Sequence, residues 1–166
     1  DIIKWINRIL SWEPNARIVL HGVSMGAATV LMASGEDLPE NVKAVIADCG
    51  YTSEWDEFQR EADTLHIPWF PVLNATSVLS KVRDGYDFKQ ASALAQVKKS
   101  RIPTLFIHGS SDELVPYSML GELYAAAACA KEELTVEGAG HALSSSVAPT
   151  LYWRTVEDFI AKYLDR

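Results

Sequence analysis

The chain has 166 residues, 48% of them hydrophobic and 22% charged, with 15 Lys and Arg against 22 Asp and Glu for a formal charge of −7. That suffices for one domain with a substantial core and is too short for two, and an acidic balance without a basic, aromatic-interleaved stripe argues against a nucleic-acid partner. No run approaches the ~18 apolar residues of a membrane span, and Cys49 and Cys129 match no metal-ligand spacing, so the expectation is buried thiols in a reducing, cytoplasmic compartment, with no metal and no other cofactor.

Ile2, Trp5, Ile6 and Ile9 recur at helical spacing, widened by Ile3 and Leu10, and Pro14-Asn15 closes this first helix. No Met precedes it, so a further amino-terminal segment is expected. The apolar run Arg17-Ile18-Val19-Leu20 then reads as a strand, His21-Gly22-Val23-Ser24-Met25-Gly26 as a tight turn, and Met25 to Ser34 as a helix stopped by Gly35. A serine at such an apex needs a left-handed backbone, and glycine two residues away on each side lets strand and helix pass closely. The same pattern also suits a glycine-rich turn with a capping serine.

Asn41 to Asp48 forms a second buried strand, β-branched in its middle, followed by Cys49-Gly50-Tyr51. Ser53 is placed to cap the next helix, with Asp56 three residues on, and that helix is spent near Thr64. His66-Ile67-Pro68-Trp69-Phe70-Pro71-Val72-Leu73, with helix-spaced Ala75, Val78, Leu79 and Val82 after it, reads either as core packing of a connecting helix or as a substrate-facing lid. A small cap-like insertion is therefore expected around 54–84, with Trp69 and Phe70 as candidate substrate-binding residues.

A short helix is expected over Ala91 to Val97. Arg101 to Gly109 is a third strand with Ser110 to Pro116 as the loop at its end; Tyr117 to Ala128 is a helix, and Lys131 to Glu137 a fourth, shorter strand ending in Gly138-Ala139-Gly140-His141. Pro149 opens a last helix in which Tyr152, Trp153, Val156, Phe159, Ile160 and Tyr163 share one face. Alternating strands and helices predict an α/β fold, a three-layer αβα sandwich on a mostly parallel sheet. The loops at the carboxyl ends of the strands then gather on one rim. Ser24, Asp112 and His141 each lie just past a strand end.

A serine hydroxyl needs a base to remove its proton, histidine suits that task, and a carboxylate behind the histidine fixes its tautomer. Asp48, also at a strand end, competes with Asp112 for the acid role. His21 and His108 read as packing or hydrogen-bonding residues and His66 as structural. Met25 N–H, first in its helix, is placed to face a developing oxyanion.

Gly22-Val23-Ser24-Met25-Gly26, Ile107 to Pro116 and Gly138-Ala139-Gly140-His141 together resemble the nucleophile elbow, acid loop and histidine loop of the α/β-hydrolase family. The resemblance is nearest to bacterial serine hydrolases of the dienelactone-hydrolase and acylaminopeptidase-like branch, in which Ala47 to Ser53 also has counterparts. It implies that residues 1–166 are the carboxyl-terminal portion of that fold and that the strand beside Arg17–His21, whose loop gives the second oxyanion N–H, lies outside the chain. The exposed edge is then expected to pair with another copy or with an amino-terminal segment. The activity implied is cleavage of a small-molecule carboxylic ester or thioester through an acyl-enzyme. Competing readings are a non-catalytic binding or assembly module, and an acyltransferase using the same triad.

Overall fold

A computed structural model describes residues 1–164 as one four-stranded parallel sheet between two layers of helix. The elements run α1 (Ile2–Trp12), β1 (Ile18–Val23), α2 (Met25–Ser34), β2 (Val42–Asp48), α3 (Glu54–Thr64), α4 (Trp69–Asp84), α5 (Ala93–Val97), β3 (Thr104–Gly109), α6 (Ser118–Ala126), β4 (Lys131–Val136), α7 (Ser144–Val147) and α8 (Pro149–Leu164). The strands lie in chain order, β1-β2-β3-β4. β1 and β2 end level, with Val23 opposite Asp48, and β3 and β4 end level with each other, Gly109 opposite Val136, two residues beyond Ile107, the partner of Asp48. Because all four strands run parallel, the loops that follow them lie on one rim.

The core follows from the two-residue repeat of a strand. Val45, Ala47 and Phe106 point to one face, where they meet Ala27, Val30 and Leu31 of α2, Val97 of α5 and Leu123 of α6. Ala44, Ile46, Leu105 and Ile107 point to the other, against Tyr152, Val156 and Phe159 of α8. Strands covered on both faces need no polar alternation, and β2 and β3 are accordingly almost wholly apolar. Ile6 of α1 closes a smaller cluster with Ile18 and Val42 at the amino-terminal ends of β1 and β2.

Several expectations need correction. Trp153 is 49% exposed rather than part of the buried face of α8; beyond β1 no further described strand extends the sheet, and the indole leans edge-on against His21 instead. β4 is only half-buried, its Lys131-Glu132-Glu133 start belonging to an edge strand. Of the helix-spaced apolar residues of α4, Val78, Leu79 and Val82 are exposed, so they are not core packing; Leu73 and Ser77 are the buried ones. The irregular start of α4 has a direct cause. Pro71 disfavours helical torsions at the residue before it, and Phe70 takes φ −98°, ψ 128°.

Candidate active site

Ser24 sits between β1 and α2 with φ 55° and ψ −119°, a conformation that costs a non-glycine residue about 1–3 kcal/mol and persists only where its surroundings enforce it. Two features do so. A Cβ at Gly22 would collide with the Gly26 carbonyl, so strand and helix are in backbone contact there, and the Ser24 amide donates to the Asp48 carbonyl at 2.8 Å. Gly26 is different from the expectation: a Cβ there meets nothing within 4 Å, so only the first of the two flanking glycines is required by close approach. Met25 follows as the first residue of α2, and its N–H is among the first four of the helix that lack an intrahelical acceptor.

The acid and histidine loops are stitched to each other. A Cβ at Gly109 would strike the Ala139 carbonyl, Ser111 N donates to Ala139 O at 3.0 Å, and Ser110 Oγ bridges Glu137 and the Gly138 amide at 2.9 Å each. Gly138 itself has φ 73°. The loop so bent carries His141 to the rim.

There the three predicted side chains meet. His141 Nε2 lies 2.8 Å from Ser24 Oγ and His141 Nδ1 lies 2.9 Å from Asp112 Oδ2. Donor chemistry fixes the protons: an ionised carboxylate only accepts, so Nδ1 carries hydrogen, which leaves the Nε2 lone pair to accept from the serine hydroxyl. The Asp112 side chain is fully buried while that of His141 is 21% exposed. Asp112 Oδ1 accepts from the amides of Leu114 at 3.0 Å and Val115 at 2.9 Å. His108 backs the same carboxylate, its Nε2 lying 3.0 Å from the Val115 carbonyl and 3.3 Å from Asp112 Oδ2. Because a carbonyl only accepts, that nitrogen is protonated.

Asp48 is turned elsewhere. Its carboxylate takes Ser144 Oγ at 3.1 Å and the Tyr152 phenol, whose oxygen lies 3.0 Å from His21 Nε2. Burial raises the Asp48 carboxyl above the usual carboxylate range, offset in part by the Ser144 and Tyr152 hydrogen bonds. Cys49, beside it, has φ 47°, and burial, with the neighbouring Asp48 charge, pushes its thiol up to about 12. Cys49, Asp112 and His141 offer three ligand atoms within 4.8 Å of one another. A cation held there would draw on the carboxylate and imidazole that form the hydrogen-bonded line from Ser24, so the cluster can serve a metal or a proton relay but not both.

Of the two aromatics expected at a substrate pocket, Trp69 is half-buried and Phe70 is 68% exposed. They pack edge-on against each other, and neither joins the hydrogen-bonded cluster at Ser24. The other side of the same insertion does approach the rim: Glu57 of α3 lies within electrostatic reach of His141, and burial raises its carboxyl despite the Arg60 guanidinium 3.1 Å away. Sequence reasoning missed Ser144 and Tyr152. Ser144 is one of three consecutive serines and gives no signal of its own, whereas the helical spacing of Tyr152 marks it only as a core residue.

A parallel sheet with a strained serine at one strand end, and histidine and carboxylate loops beside it, defines an α/β-hydrolase. The chain belongs to the prolyl oligopeptidase family, Peptidase_S9, whose model matches residues 1–166. It is 32% identical over 165 residues to the Bacillus subtilis protein YqkD, covering 96% of this chain and 53% of that one. The fold is similar to a Pyrococcus horikoshii acylaminoacyl peptidase (TM-score 0.73, 18% identity, 100% of this chain and 27% of the other). It is similar also to an esterase of Pyrococcus furiosus (TM-score 0.73, 19% identity, 99% and 61%). The chain spans about half the length of the curated relatives it matches.

Proposed function

We propose that this chain carries the catalytic triad of a serine hydrolase, with Ser24 as nucleophile, His141 as base and Asp112 as the acid that orients it, acting on a small-molecule carboxylic ester or thioester. The observation that carries the reading is the continuous line of hydrogen bonds from Ser24 Oγ through the histidine ring to Asp112. Ser24 Oγ attacks the carbonyl carbon while its proton passes to His141 Nε2; Asp112 stabilises the imidazolium, and the Met25 amide faces the oxyanion. His141 then returns the proton to the leaving alkoxide or thiolate, and an acyl-Ser24 ester remains. Water, deprotonated by the same imidazole, releases the acid.

An ester or thioester is preferred over an amide because its leaving group needs less help, and because the exposed apolar residues of the insertion, Phe70 and Val72, suit an acyl or aromatic group. A fluorophosphonate probe should label Ser24 in the intact protein, and p-nitrophenyl esters of increasing chain length, with a peptide anilide beside them, should show turnover on the esters first. Anilide turnover exceeding that of every ester would move the substrate class to amides. Unchanged esterase activity in Ser24→Ala would remove the reading altogether and leave a binding or assembly module.

A further inference from the structure

Asp48 takes no part in the line from Ser24 to Asp112, yet it is 2% exposed and holds that line from both sides. Its main-chain carbonyl accepts from the Ser24 amide, in the turn that aims the hydroxyl. Its side chain reaches the other way, to Ser144 Oγ. Ser144 is wholly buried, opens α7 and follows His141 by three residues, so the same carboxylate grips the loop that carries the base. A second arm runs to Tyr152 of α8, whose phenol hydrogen-bonds the Asp48 carboxyl and lies 3.0 Å from His21 Nε2.

The ground here is strained and therefore needs holding. Ser24, Cys49 and Ala142 all have positive φ, at 55°, 47° and 57°, and the Cys49 sulfur faces the amides of both Ser24 and Ala142. Each such residue is strained and relaxes unless its neighbours forbid it. A buried carboxylate is itself expensive. A clamp between the two loops accounts for both.

We propose that Asp48 is the positioning residue that sets the separation of Ser24 Oγ from His141 Nε2, its backbone fixing the nucleophile turn and its carboxylate fixing the histidine loop through Ser144. The proposal rests on the hydrolase reading above and deepens it. It differs from an acid role for Asp48 in one respect that can be measured: a clamp needs an acceptor oxygen, whereas a triad acid needs a negative charge. Asparagine keeps the first and loses the second.

Ester turnover, the rate of fluorophosphonate labelling at Ser24 and thermal unfolding are measured in the intact protein for wild type, Asp48→Ala, Asp48→Asn, Ser144→Ala and Tyr152→Phe. Displacing a reacting group by about 1 Å costs on the order of 10²-fold, so Asp48→Ala should lose about that in kcat with KM within about threefold. Ser144→Ala should lose about tenfold, and Asp48→Asn should recover to within about fivefold of wild type. Tyr152→Phe, which cuts only the arm to α8, should lower the melting temperature while kcat stays within about threefold. Asp48→Asn falling as far as Asp48→Ala overturns the clamp, because charge would then be what matters. So does a folded Asp48→Ala that turns over like wild type, or, if that variant does not fold, a Ser144→Ala that does. Wild type that fails to label at Ser24 removes the hydrolase reading itself; wild type and Asp48→Ala labelling equally fast remove only the clamp.

Discussion

At the rim of the sheet, Ser24, Asp112 and His141 stand on loops whose backbones touch at Gly22 and Gly109 and whose polar groups are mutually bonded. The insertion between β2 and β3 is built the other way: Phe70, Val78, Leu79 and Val82 of α4 are between 63% and 81% exposed, and α3 has no buried residue at all. Proton transfer tolerates little error in position, so the rim is over-determined by short contacts to buried strands. The exposed helices of the insertion have no such constraint, since few of their side chains are buried against the core. Under the proposed function, geometry falls to the rim and recognition to the insertion, and substitutions in each test that division.

The largest expected effect separates them most sharply. Ser24→Ala should lower ester turnover by about 10⁶-fold with the fold intact by circular dichroism. Asp112→Asn should cost about 10⁴-fold, because an amide nitrogen facing His141 favours the wrong tautomer. Next comes the pair of glycines. Gly22→Ala forces a methyl into the Gly26 carbonyl and should destabilise by about 1–3 kcal/mol in denaturant unfolding, whereas Gly26→Ala, with open space around its Cβ, should be neutral or gain up to about 1 kcal/mol of helix propensity. Equal losses from the two would mean the elbow is not held by strand-to-helix contact.

A smaller effect concerns pH. The carboxyl of Asp48 is raised in the folded state, so folding favours its protonated form. Its stabilising contribution is complete below the ordinary carboxylate pKa of about 4 and is lost as pH rises through the folded value. Asp48→Asn, which cannot ionise, should therefore melt higher relative to wild type at pH 8 than at pH 4. A constant difference across that range would show that burial of the charge costs nothing. Smallest of all, Phe70→Ala and Leu79→Ala should leave stability within about 0.5 kcal/mol. Turnover of the shortest ester should stay near wild type, with the preference among longer chains shifted.

Much of the rim was legible in the sequence because its signals are local: apolar strand runs, a G-x-S-x-G turn, and a histidine and an aspartate just past later strands. Ser53 as the cap of α3, with its oxygen accepting from Asp56 N, could be read the same way. What was not legible depends on which side of an element is covered. Helical spacing placed Val78 and Val82 on one stripe of α4 correctly, yet periodicity carries no information about whether anything packs against that stripe. Trp153 failed for a related reason, since α8 reaches past the last described strand. Asp48 could be seen as an ionisable group at a strand end, but its partners Ser144 and Tyr152 lie about a hundred positions away in the chain, and nothing in the residue pattern joins them.

The left-handed Cys49 has a use beyond its part in the strained corner. A thiol held at about 12 remains protonated at neutral pH, and only the thiolate is alkylated. Iodoacetamide should therefore modify the partly exposed Cys129 faster than the buried Cys49, which it reaches only during openings that lift the histidine loop from the nucleophile turn. The ratio of the two rates is then a clock for breathing of the site, and an acyl group resting on Ser24 should slow it.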